Sequence, residues 1–290
     1  MIPLSHNPLW TPDKRDFSHS KKFGSLPASI LPTNGLGRVP ISIKDQKQTL
    51  FCTGFGTAAA SEYQEGEELC PLFQVAKIGQ LLDRPILDGA DARASMKAMI
   101  LFGSLPRSLS PFSLNKHTPE FVANWKNWPE ALDKEARKRS KAGYFSADGP
   151  YDAFDKVRMA LYQGAAENQV VIAFGRWYPH WTGTFCNGIS QSYGYHCYVL
   201  YDWCMRNGVT YLKIQQSGGK AMGDGGTQYI DRDTFNMAWQ SLQLDSELYI
   251  PRDLKEGEDA ELRQSLSFIL WDLYYRVANL FDLWRQSSKR

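Results

Sequence analysis

Cys52 is the residue in this chain best placed to do covalent chemistry. It lies in Asp45-Gln46-Lys47-Gln48-Thr49-Leu50-Phe51-Cys52-Thr53-Gly54-Phe55-Gly56-Thr57-Ala58-Ala59-Ala60-Ser61-Glu62, a polar turn, then a cysteine, then small residues of helical type. A thiol in the first turn of a helix sits in the positive end of the helix dipole, which lowers its pKa and makes it a nucleophile. Such a nucleophile needs a base, usually histidine. His6 and His117 lie in proline-containing, loop-like stretches, and His19 lies in a polar arm. His180, within Tyr178-Pro179-His180-Trp181, is expected to be a hydrogen-bonded structural residue. His196 differs, because it opens the apolar run Cys197-Tyr198-Val199-Leu200-Tyr201. The start of a strand between two lobes holds a base rigidly. On residue types alone, Cys52 and His196 read either as a catalytic pair or as two structural residues.

The chain around them is long enough for one large domain or two lobes. It has 290 residues, of which 43% are hydrophobic and 22% charged, as in ordinary folded proteins. A net charge of +2 gives no nucleic-acid footprint. The five cysteines leave at least one thiol unpaired, none has CxxC spacing, and no Cys/His cluster resembles a metal site. Neither a metal nor a cofactor is therefore expected. No apolar run suggests a signal peptide or a membrane-spanning helix, so the expected setting is the reducing cell interior, or a virus-like particle.

Four segments follow from the pattern. Residues 1–25 read as an N-terminal arm. Residues 26–149 read as a helical lobe, with helices over 52–64, 71–82, 92–102 and 130–142. Pro71 opens the second of these, and Asp91 caps the third. The Met96, Met99 and Ile100 stripe is read as core. After Gly149-Pro150 comes a strand-rich lobe, 150–253. It begins with a helix over 151–167, followed by strands at 170–174, 196–201, 209–214, 228–230 and 247–250. Helices leading and strands following indicate an α+β fold. In 254–290, Leu262, Leu266, Ile269, Leu273, Val277, Leu280 and Trp284 recur at steps of three or four. They predict an amphipathic helix over 258–286, about 40 Å long, whose balanced charge argues against a membrane surface. It is read as docking on its own chain, or as a surface for a protein partner or self-association.

Taken in order, several motifs resemble those of the papain-like cysteine peptidases over roughly residues 26–231. Leu26-Pro27-Ala28-Ser29-Ile30 is similar to the LPxSVD opening of the mature enzyme. Asp45-Gln46 with Cys52 resembles DQGxxGxC, and Leu69-Cys70-Pro71 resembles the LSP that starts the next helix. Asp88-Gly89-Ala90 resembles the edge of the substrate groove. Tyr195-His196 and Val199 to Asp202 resemble the GHAVxxVGYD strand. Gln215 to Gly226 fits KNSWGxxWGxxG, matching at Ser217, Gly219, Gly223 and Gly226. The resemblance implies a two-lobe fold, helical on one side and antiparallel β on the other, with the C-terminal helix as an addition. It implies Cys52 as nucleophile, His196 as base, Gln46 with the Cys52 backbone N–H as oxyanion hole, and Gln216 as the group orienting the imidazole. Gly89, Ala90 and Tyr195 would line the substrate site. An imidazolium–thiolate pair would cleave peptides or proteins.

The sequence also departs from the pattern. Gln216 stands where the family has asparagine, and Gly218 and Met222 replace two tryptophans, one of which shields the orienting hydrogen bond. Thr53 replaces the tryptophan after the nucleophile, Thr49 a half-cystine, and Ala90 a groove glycine. These changes leave a second reading, a weak or inactive papain-fold protein with a structural or binding role in a larger assembly such as a virion. A third is another acyl chemistry, such as deamidation, on the same pair.

Overall fold

Helix α1 (Cys52–Glu65) is where the two halves of the molecule meet. Gly54 and Gly56 lower its intrinsic helix propensity by up to about 1 kcal/mol each. They lie two positions apart, about 200° around the axis, and so face opposite ways. A methyl on Gly54 would come within 2.5 Å of Val75 Cγ2 in helix α2 (Pro71–Leu81). One on Gly56 would come within 2.4 Å of the Cys197 sulfur in a strand of the other half. The two glycines let a helix pass closely between its neighbours. α1 stops at Gly66, whose φ of 70° suits glycine and whose N–H donates back to Glu62 at 2.8 Å.

The computed structural model describes residues 17–18, 24, 26–147, 151–191, 193–240 and 247–253. The expected lobe boundary at 149–150 and the expected 258–286 helix lie outside the described residues, as does most of the 1–25 arm.

In the helical half, α2 and α3 (Ala92–Phe102) pack on α1, with the short helices α4 (Pro119–Ala123) and α5 (Ala131–Arg137) beside them. The Asp91 side chain accepts from Ala94 N at 2.7 Å, so it caps α3 as expected. Phe51, Phe55, Phe73, Ile78 and Ile86 fill this core. Met96 and Met99 are buried in the other core, where α3 meets the sheet. α5 is shorter than expected. Beyond Lys138 the chain is drawn away by Lys141 N donating to Met99 and Ala142 N donating to Arg252.

The strands form one eight-stranded sheet of order β1-β2-β8-β3-β5-β6-β7-β4. They are β1 (Phe17–Ser18), β2 (Gly143–Ser146), β3 (Val171–Trp177), β4 (Phe185–Cys186), β5 (Gly194–Arg206), β6 (Val209–Gln215), β7 (Thr227–Asp231) and β8 (Glu247–Arg252). The five inner pairings are antiparallel and the two edge pairings parallel, so the sheet is mixed, not antiparallel throughout as expected. Helices α6 (Ala153–Gln163) and α7 (Arg232–Gln240) accompany it. α6 gives way at Gly164 to a 3-10 turn over Ala165–Glu167, which carries the chain on to the expected 167. The result is an α+β fold of two lobes. Among the described residues, no helix is long and apolar enough to cross a membrane.

The stretch after residue 31 runs against β5 as a strap. Trp203 Nε1 donates to the Pro32 carbonyl at 2.9 Å, and Gly35 N donates to the Trp203 carbonyl at 3.1 Å. The fully buried Asp202 carboxylate accepts from Leu36 N at 2.6 Å, Arg38 N at 3.1 Å and Lys213 Nζ at 3.0 Å. Gly35 is needed here, since any Cβ would lie 2.1 Å from Asp202 Oδ1.

Candidate active site

Cys52 is the first residue of α1, and no side chain caps that helix start. His196 is the third residue of β5, and Gln216 directly follows the β6 residue that pairs with Val199. α1, which starts at Cys52, packs on β5, which carries His196. Cys52, His196 and Gln216 are 4%, 2% and 2% exposed.

Burial governs their protonation. The Cys52 thiol is pushed up to about 11, against the opposing pull of the backbone N–H groups of Cys197, Thr53 and Cys52 itself. The His196 imidazole is pushed down to about 3 by burial alone. Both shifts favour the neutral forms, because a charge in a dry site loses its hydration. The expected lowering of the thiol pKa by the helix dipole is therefore reversed here. Near neutral pH the pair is thiol and imidazole, not the expected thiolate and imidazolium.

Unpaired polar atoms gather at these residues. Both ring nitrogens of His196, both amide atoms of Gln216 and the Thr53 hydroxyl are buried without a hydrogen-bond partner among the described residues. Buried polar groups are nearly always paired, so five such atoms on His196, Gln216 and Thr53 stand out. Gln216 does not hydrogen-bond the His196 ring in this state. Its amide lies under Gly218, where an added methyl would come within 2.6 Å of Met222 and 2.9 Å of the Gln216 amide atoms. Met222 and the longer Gln216 side chain occupy the room that a larger residue at 218 would need.

Gln46 is held differently. Its Nε2 donates to the Thr49 carbonyl at 2.5 Å, and its Oε1 accepts from the Ser217 hydroxyl. The first bond, to a carbonyl that can only accept, fixes which end of the amide is the donor, and one Nε2 proton remains for another acceptor. The backbone supports this, with Gln46 N donating to Ser217 at 2.8 Å and Gly219 N to Lys44 at 2.9 Å. Lys44, buried and ion-paired with the buried Glu62 of α1, ties the same segment to the helix that carries Cys52. Ser217 and the Lys44–Glu62 pair were not legible as site supports, because nothing local in the sequence joins residues so far apart.

Of the expected substrate-site residues, Gly89 has a φ of 94°, which demands glycine. Ala90 is half-buried against the helical core. Tyr195 is half-buried opposite Arg176, with its ring 5.8 Å from Tyr193. His180 has the structural hydrogen bond expected of it, Nε2 to the Asn187 carbonyl at 3.0 Å. A cavity of about 160 Å³ lies on the outer side of the Gln46 turn, lined by Lys44, Asp45, Lys47, Phe55, Leu72 and Arg107 among others, without Cys52 or His196.

No protein-family model and no curated protein sequence matches the chain. Solved structures do. Xylellain, a cysteine protease from Xylella fastidiosa, superposes with a TM-score of 0.67 at 16% identity, covering 87% of this chain and 96% of that one. Digestive procathepsin L 3 of Tenebrio molitor larval midgut gives 0.58 at 14% identity, over 82% of this chain and 74% of that one. The bromelain protease from Ananas comosus gives 0.52 at 15%, over 77% and 100%. The fold is that of the papain-like cysteine proteases, in a divergent form.

Proposed function

We propose that the chain is a cysteine-type peptidase that acts on peptides or proteins, with Cys52 as nucleophile and His196 as base. The observation that carries this reading is the meeting of the α1 start with β5. The Cys52 sulfur lies against the backbone N–H of Cys197, the neighbour of a histidine whose ring nitrogens are both unengaged. The solved papain-like proteases of the same fold support it.

Because burial keeps the pair neutral, His196 takes the thiol proton as the sulfur attacks the scissile carbonyl, and not beforehand. The free Nε2 proton of Gln46 and the Cys52 backbone N–H stabilise the oxyanion; one donor of this kind is worth about a hundredfold or more in rate. His196 then protonates the leaving amine and activates the water that releases the acyl group. Gln216 swings onto the imidazole once that ring carries charge. All five cysteines are free, which fits work in a reducing interior. The unengaged Gln216 amide favours a second reading, a papain-fold scaffold without turnover.

An epoxide-type thiol-protease probe separates the two. Under reducing conditions we expect one adduct, at Cys52, absent in Cys52→Ala. An unlabelled wild-type chain establishes the scaffold reading.

A further inference from the structure

The His196 ring is held by aromatic packing. β3 and β5 pair with Gly175 opposite His196 and Trp177 opposite Gly194. Positions two apart on a strand share a face, and diagonal cross-strand neighbours are within reach of large rings. Opposite a glycine, the Trp177 indole is free to lean towards the imidazole. The two rings meet at 5.3 Å between centroids and 60°, close to edge-to-face. Trp177 is fixed in turn by Trp181, at 5.3 Å and 85°, and by Tyr198, at 5.2 Å and 61°. Tyr198 also stacks with the imidazole, at 6.4 Å and 24°. All four residues are buried.

We propose that Trp177 is the positioning residue of the base, holding the His196 ring and excluding water from it. This rests on the reading of His196 as the base. With Gly218 and Met222 in place of aromatic residues and the Gln216 amide unengaged, the stretch after β6 that carries Gln216 supplies no ring to His196 among the described residues. The indole reaches the imidazole from β3, on the opposite side of β5 from β6.

The test compares Trp177→Leu with Trp177→Phe in the full chain, using a fluorogenic peptide and the NMR resonance of a His196 ring proton. Trp177→Leu should lower kcat between about tenfold and a hundredfold, the range expected of a misplaced catalytic group, with KM held within about twofold. Trp177→Phe, which keeps an aromatic edge, should recover kcat to within about threefold of wild type. The ring proton, displaced by the indole ring current, should move towards the free-histidine position in Trp177→Leu. Wild-type kcat in Trp177→Leu, or equal losses in both variants, overturns the proposal. If Trp177→Leu fails to fold, Trp177→Phe decides, with retained kcat supporting the proposal and lost kcat overturning it. If the wild-type chain hydrolyses nothing, the peptidase reading fails. The ring-proton shift still decides for Trp177, an unchanged resonance in Trp177→Leu overturning the proposal.

Discussion

Cys52 and His196 are both buried and respond to burial in opposite directions. Burial raises the thiol and lowers the imidazole, so each holds its neutral form beyond the pH at which it would titrate in the unfolded chain. The effect on stability has a definite sign. Between pH 6.5 and about 3 the unfolded histidine binds a proton that the folded one refuses, so stability falls as the pH drops through that window. The slope from this group is at most about 1.4 kcal/mol per pH unit. Between pH 9.0 and about 11 the unfolded Cys52 has lost a proton that the folded one keeps, so stability falls as the pH rises. Cys197, also raised by burial, steepens the alkaline side. Urea midpoints at about pH 5, 7.5 and 10 should therefore peak at the middle value. His196→Asn should flatten the acid limb, and Cys52→Ser part of the alkaline one. An acid limb of equal steepness in His196→Asn would show that the histidine is solvated.

At the level of elements, the contact of α1 with β5, the strand that carries His196, is the joint between the two halves, and Gly56 sets its spacing. Gly56→Ala improves helix propensity by up to about 1 kcal/mol but overpacks the joint against the Cys197 sulfur, a cost of about 1–3 kcal/mol. The net expectation is destabilisation. Pairing it with Cys197→Ala should relieve the clash, giving a favourable coupling of about 0.5–3 kcal/mol in a double-mutant cycle read by denaturant unfolding. Strict additivity would place the clash elsewhere. This joint also shows what the sequence discloses and what it withholds. Helix starts at Cys52, Pro71 and Ala92 were legible because caps, proline and apolar spacing act within a few residues. The strand cores around 172, 199 and 212 were legible for the same reason. The reason for Gly54 and Gly56 was not, because it lies in Val75 and Cys197. Likewise Trp177 could not be placed beside His196 without the β3–β5 register. The unpaired state of Gln216 was hidden too, since a motif gives a residue's position and not its hydrogen bonds.

For the molecule as a whole, the buried Asp202 joins the strap of residues 31–38 to the sheet and to Lys213. Removing a buried, paired charge typically costs about 3–5 kcal/mol. Asp202→Ala should lower the unfolding free energy by about that amount and expose residues 31–38 to limited proteolysis before the rest of the lobe. A variant whose strap stays as resistant as wild type would show that Trp203 and the Gly35 backbone hold it without the carboxylate.

The strap also has a mechanical consequence. It is fastened at Asp202 and Trp203, six and seven residues beyond His196 on the same strand. A pull on the N-terminal side of the chain, such as that of an unfolding motor, frees the two-residue edge strand β1 first and is then delivered through the strap to the middle of β5. That strand lies between β3 and β6, so from there the load is shared by many hydrogen bonds in the interior of the sheet. Threading from this end should meet high resistance. When it succeeds, the strand that carries the histidine yields early, so that any acyl-transfer activity is lost before the helical lobe comes apart.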